Sequence, residues 1–205
     1  MCIFQARFYA DAVPVNRALQ GLLHRCCPAP WTLLPIQDTL HISLTRPILL
    51  RIQEKELFIG QVSQCLRDSR VHPYVAGLHS FAIGFAQFTC FPSDTSSRVF
   101  LALETSSGWH EMAALTDALS KRLYALFQVP SYYNRPRFHV SYAYCEPANG
   151  EARSELIARG QCLARQLNDS LAKTLRIHGP LFAHALEVQV GQHIRRLMIP
   201  STALT

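Results

Sequence analysis

Two short stretches constrain this chain more than any other feature: Thr39-Leu40-His41-Ile42-Ser43-Leu44 and Arg137-Phe138-His139-Val140-Ser141-Tyr142. Both are apolar and rich in β-branched or aromatic residues, so both read as strands. Side chains along a strand alternate between faces. His41 and Ser43 therefore share one face, as do His139 and Ser141, while Ile42 and Val140 point the other way. Each triplet sets an imidazole beside a hydroxyl. Brought together, the two pairs would offer two proton-transfer groups and two hydroxyl donors to one phosphate. The same residues also fit two half-buried histidines bonded to neighbouring strands, and the pattern leaves both readings open.

The chain has 205 residues, of which 49% are hydrophobic and 17% charged. That suits one domain with a real core, here read as two lobes, and excludes general disorder. A formal net charge of +6 favours an anionic partner such as nucleic acid, although solubility explains a mild excess equally well. The seven cysteines are odd in number, Cys26-Cys27 are adjacent, and no Cys-x-x-Cys occurs. Neither a disulfide framework nor a zinc motif is expected, but reduced, mostly core thiols in an intracellular compartment. The spacing of His178, His184 and His193 matches no metal-ligand motif. No apolar run reaches membrane-spanning length, and no secretory signal opens the chain. Met1-Cys2-Ile3-Phe4 enters a strand at once, so the natural protein is expected to begin earlier.

A first strand is expected over Ile3 to Tyr9, with Gln5 and Arg7 interleaved among apolar residues. A helix opens at Pro14, carries Leu19, Leu22 and Leu23, and ends near Cys26-Cys27-Pro28. Trp31 to Pro35 reads as a loop or short strand, and Leu40 to Thr45 as the first motif strand. Ile52, Ile59, Val62 and Leu66 share a helical face, which predicts a helix over Arg51 to Leu66. Phe81 to Phe91 and Arg98 to Glu104 form a hairpin with a polar tip. Met112, Leu115, Leu119, Leu123 and Leu126 recur at helical spacing between Trp109 and Gln128, and Gly108 can cap that helix. The second motif strand spans Phe138 to Cys145. Glu151 to about Leu171 is expected to be helical, interrupted near Gly160. Leu186 to Val190 and His193 to Ile199 close the chain as a hairpin through Gly191-Gln192. This order suggests two similar α+β lobes, each giving one motif strand to a shared cleft.

Metal-free cleavage of an RNA phosphodiester needs a base for the 2′-hydroxyl proton and an acid for the departing 5′-oxygen. Histidine suits both tasks because its ordinary pKa is about 6.5. Serine hydroxyls can meet the non-bridging oxygens as charge builds on them. Acyl transfer is disfavoured, because no Gly-x-Ser-x-Gly elbow is present. Just before the second triplet lies Tyr132-Tyr133-Asn134-Arg135-Pro136-Arg137-Phe138. A tyrosine there can stack a terminal base and an arginine can meet phosphate. A tyrosine-rich loop packed on the core, with solvated arginines, fits equally well.

The paired His-x-Ser strands resemble the two-histidine (2H) phosphoesterase superfamily. Leu40 to Leu44, Phe100 to Gly108, Tyr133 to Ala143, and the closing stretches Glu187 to Gln192 and Leu197 to Pro200 resemble one branch more closely, the U6 snRNA phosphodiesterase family. The likeness runs along nearly the whole chain in the same order, and Tyr133 to Ala143 is its most specific part. It implies an α+β fold: one domain over residues 1–205, with two pseudo-symmetric lobes of antiparallel sheet plus helices around a central cleft. It implies a 3′–5′ RNA exonuclease that trims the uridine-rich 3′ end of U6 spliceosomal RNA, leaving a 2′,3′-cyclic phosphate or a 3′-phosphate. His41 and His139 would be the catalytic pair, Ser43 and Ser141 would hold the phosphate, and Tyr133 would stack a nucleobase. Arg137 is a further candidate for the substrate. The expected direction is His41 as base and His139 as acid, which the sequence does not fix. A nuclear, monomeric protein acting on RNA without metal, cofactor or membrane is the corresponding expectation. Two other readings compete with it. One is another two-histidine phosphoesterase acting on small cyclic nucleotide phosphates or 2′-5′ linkages. The other is a non-catalytic RNA-binding module.

Overall fold

A computed structural model describes residues 2–9, 13–27, 29–34, 41–67, 81–94, 96–129, 131–178, 180–183 and 185–199. Leu40 and His184 lie outside the described residues. Within them the strands are β1 (Cys2–Tyr9), β2 (Thr32–Leu33), β3 (His41–Ser43), β4 (Ile48–Leu50), β5 (Phe81–Ile83), β6 (Phe85–Pro92), β7 (Val99–Thr105), β8 (His139–Cys145), β9 (Leu181–Ala183), β10 (Ala185–Val190) and β11 (His193–Met198). The helices are α1 (Val13–Cys26), α2 (Lys55–Arg67), α3 (Trp109–Phe127) and α4 (Arg153–His178), with a short 3₁₀ turn at Ile52–Glu54.

Nine strands form one antiparallel sheet in the order β11-β10-β1-β3-β8-β7-β6, with β2 paired to β8 and β4 to β1. Each motif strand heads one half of it. The halves meet where β3 lies against β8, through the pair Ile42↔Val140. Ile42 is 1% exposed and Val140 0%. Both enter one continuous core with Leu19 and Leu23 of α1, Phe58 of α2, Leu119 of α3 and Leu167 of α4. Burying each such side chain stabilises the fold by about 1.5–3 kcal/mol, and this burial decides which way the motif strands face.

The apolar periods of α2 and α3 place the helices as expected. Gly108 precedes α3 at φ 76°. A side chain there would crowd Ala82 O and the Phe81 ring, so both backbone and space require glycine. The expected break in α4 does not occur, and the helix runs unbroken from Arg153 to His178. A Cβ at Gly160 would overlap Cys90 Sγ and come 3.1 Å from the Trp31 ring. This glycine lets α4 approach β6 rather than ending a helix. Asn168 secures the same contact, accepting from Phe88 N (2.6 Å) and donating to Phe88 O (3.1 Å). The first hairpin strand is split at Gly84 into β5 and β6, and β5 leaves the main sheet to pair with β9. Strands β4 and β9 carry no period long enough to announce them in the sequence.

Candidate active site

The register of one strand pair builds the site. Ile42 opposite Val140 in antiparallel strands sets His41 level with Ser141, and Ser43 level with His139. Since Ile42 and Val140 are buried, the other four side chains share the opposite face. They make a square in which imidazoles occupy one diagonal and hydroxyls the other. Such a diagonal spans about 7–8 Å between backbone positions, room for a phosphate with hydrogen bonds of about 3 Å on either side.

Strand β1 supports the first motif. Gln5 Nε2 donates to Ser43 Oγ at 2.8 Å. Because Ser43 Oγ accepts there, its own hydrogen is left to donate elsewhere. Arg7 Nη1 approaches His41 Nδ1 at 3.4 Å. Arg7 is 4% exposed and Glu187 on β10 is 2% exposed. Glu187 Oε2 lies 3.5 Å from Arg7 Nε, and Glu187 Oε1 accepts from Arg196 Nε at 2.9 Å. A row of charge, Arg196–Glu187–Arg7, thus crosses β11, β10 and β1 in register and ends on His41.

The second motif is held differently. His139 Nδ1 donates to Arg137 O at 2.7 Å, which leaves the lone pair of the neutral ring on Nε2. Phe91 stacks on the imidazole. Burial lowers the pKa of His139 below 6.5, only partly offset by the Arg137 carbonyl and by Glu104. The ring is therefore neutral at pH 7. Arg137 makes a two-point pair with Glu104 (Nε–Oε1 and Nη2–Oε2, both 2.7 Å) and lies over the Phe91 ring. Its hydrogen bond is the main cause holding the Glu104 carboxyl below its ordinary value.

A family model described as "HVSL: Uncharacterised conserved protein" matches residues 14–197. The chain belongs to the HVSL family. It is 26% identical to U6 snRNA phosphodiesterase 1 of Neurospora crassa over 189 residues, covering 83% of this chain and 50% of the relative. The human protein of the same name is 30% identical over 130 residues, covering 60% and 46% of the two chains. This HVSL chain therefore spans about half the length of the curated relatives it matches, and their shared name is that of the family its motifs resemble. The structure of Kluyveromyces marxianus Usb1 with uridine monophosphate superposes with a TM-score of 0.65 over 96% of this chain and 97% of that one, at 16% identity. That likeness bears out the α+β architecture with its two halves.

The two tyrosines of the HVSL chain's 131–136 loop have different surroundings. Tyr132 is anchored: its O–H donates to Ser43 O (3.1 Å), its N–H to Ser120 Oγ (3.1 Å), and its ring is parallel to Phe138. Burial raises its phenol pKa. Tyr133 is 42% exposed. Its O–H donates to Asp94 on the β6–β7 tip, and the Arg46 guanidinium lies 4.1 Å over its ring. Among the described residues no three His, Cys, Asp or Glu side chains gather as metal ligands, and no helix is long and apolar enough to cross a membrane.

Gln5, Arg7, Glu187 and Phe91 were not singled out by the sequence as parts of the site. Their signal was faint: Gln5 and Arg7 interrupt an otherwise apolar strand, and Glu187 sits in the run Leu186 to Val190. A polar residue inside such a run is buried only when its strand lies in the middle of a sheet, which local pattern does not disclose.

Proposed function

We propose that this protein is a metal-independent 3′–5′ RNA exonuclease that trims the uridine-rich 3′ end of U6 snRNA. The observation that carries the reading is the square of His41, Ser141, Ser43 and His139 on one sheet face, set by Ile42↔Val140. Two imidazoles on a diagonal suit in-line displacement at one phosphate, with a base on one side and an acid on the other.

His139 is assigned as the base, because it is neutral at pH 7 and its Nδ1 hydrogen is taken by Arg137 O. Its Nε2 lone pair accepts the 2′-hydroxyl proton as that oxygen attacks phosphorus. His41, in its doubly protonated form, gives a proton to the departing 5′-oxygen. The P–O5′ bond breaks and a 2′,3′-cyclic phosphate remains. This reverses the direction expected from the sequence. Ser43 and Ser141 donate to the non-bridging oxygens as charge develops there. Tyr133 stacks the terminal base. Arg137 borders the site with its charge offset by Glu104, so its phosphate contact is the weaker contribution. RNA as the substrate, a nuclear location and a monomeric state belong to the same reading.

Incubation with oligouridine in EDTA tests it. Stepwise shortening from the 3′ end is expected. A 2′-deoxy residue just 5′ of a scissile bond should block removal of the nucleotide beyond it. Intact RNA, strict dependence on added magnesium, or trimming through the deoxy position overturns the reading.

A further inference from the structure

His41 presents a conflict that the proposed reaction must resolve. Its Nδ1 faces buried Arg7, so Nε2 is the atom left to meet substrate. A base working through Nε2 needs its hydrogen on Nδ1, and an acid working through Nε2 needs hydrogens on both nitrogens. Either role therefore requires a hydrogen on Nδ1. A guanidinium only donates. While Arg7 sits against Nδ1, that nitrogen must keep its lone pair, and the ring is neutral with its hydrogen on Nε2.

Glu187 offers Arg7 another place. Glu187 Oε2 is buried, makes no hydrogen bond, and lies 3.5 Å from Arg7 Nε. An unsatisfied buried carboxylate oxygen is costly, so a small shift of Arg7 toward it is compensated by a charge-assisted bond. The other oxygen of Glu187 is taken by Arg196, which keeps the carboxylate in place.

We propose that Arg7 is a positioning residue with two seats, His41 Nδ1 and Glu187 Oε2, and that its seat decides whether His41 carries the hydrogen that proton transfer requires. With Arg7 against Nδ1 the ring is idle. With Arg7 drawn to Glu187, Nδ1 takes a proton from water and the ring can work. Among the described residues, the charged and titratable groups around His41 are Arg7 on β1, Glu187 behind it on β10, Arg196 on β11 and His139 across the square on β8. The inference rests on the proton-transfer role given to His41 above.

Nitrogen-15 NMR of the substrate-free protein tests it, with His41 assigned by its absence from His41→Ala. Near pH 7 the wild type should show His41 bare at Nδ1 and protonated at Nε2, with His139 the reverse. In Arg7→Met, His41 should lose that preference and titrate about one pH unit or more higher, the size of effect expected when a like charge within a few ångströms is removed. In Glu187→Gln, Arg7 stays on His41, which should titrate lower. In the double variant His41 should behave as in Arg7→Met, because Glu187 acts through Arg7. His139 should titrate unchanged throughout. If Arg7→Met does not fold, the double variant carries the test, since replacing both members of a buried ion pair is often tolerated.

Wild-type His41 protonated at Nδ1 overturns the proposal. So does unchanged His41 titration without Arg7, or a Glu187→Gln shift of equal size with and without Arg7. None of these readouts needs turnover. A protein that shows the shifts yet leaves oligouridine intact supports the two seats and refutes the exonuclease.

Discussion

The Phe91 ring lies flat on the His139 imidazole, with centroids 4.0 Å apart and 13° between the planes. It keeps water from one face of the ring and so contributes to the burial that disfavours the imidazolium. Phe91→Ala should let His139 titrate closer to 6.5. At pH 6 the variant should lose more activity than at pH 8, because more of its base is protonated. A pH–rate profile beside an NMR titration of His139 measures both, and an unmoved titration refutes the shielding role.

The same burial fixes a sign for stability. His139 binds its proton less tightly folded than unfolded, where 6.5 is the reference. Unfolding therefore takes up a proton within that window. The stabilisation is fully present above 6.5 and is lost as the pH falls through the lower, folded value. His139→Phe should flatten this part of the dependence. Denaturant midpoints from pH 7.5 down to 5 on both proteins provide the comparison.

Removing either imidazole removes one proton transfer. His41→Ala and His139→Ala should each lower the trimming rate by roughly 10²–10⁴-fold. The double variant should fall well short of the product of the two losses, as for groups acting together on one transition state. Single-turnover rates on oligouridine decide this, and a single variant with near-normal turnover breaks the pairing.

Tyr133 and Tyr132 should respond differently. Stacking a base on an aromatic ring is worth about 1–3 kcal/mol, so Tyr133→Ala should weaken RNA binding by about 5- to 150-fold with little change in melting temperature. Tyr133→Phe gives up the Asp94 contact but keeps the ring, and should retain most binding. Tyr132→Ala should lower the melting temperature, because Tyr132 ties the loop to Ser43 and Ser120. Unchanged nucleotide affinity in Tyr133→Ala would remove that residue from the site.

Gly160→Ala should destabilise the protein by about 1–3 kcal/mol, the usual cost of overpacking a close contact, because its Cβ overlaps Cys90 Sγ. Cys90→Ala in the same chain should restore part of the loss. A helix-propensity argument predicts the opposite sign, since alanine is the better helix former, so thermal melting of the two variants separates the explanations.

The local rules were legible in the sequence. Period-two alternation told which faces of the motif strands carry His41, Ser43, His139 and Ser141, and the 3.6-residue period located α2 and α3. Both periods come from the geometry of a few consecutive residues, so a short window contains them. What only the tertiary structure decided is non-local. Ile42 opposite Val140 turns two separate triplets into a square with imidazoles on one diagonal. The central place of β1 buries Arg7, which an edge strand would have left in water. The approach of α4 to β6 makes Gly160 a packing residue rather than a helix break. Each depends on which distant segment lies alongside. That is settled by the burial of the whole core, because many pairings satisfy the same local pattern and only one of them buries all its apolar faces together.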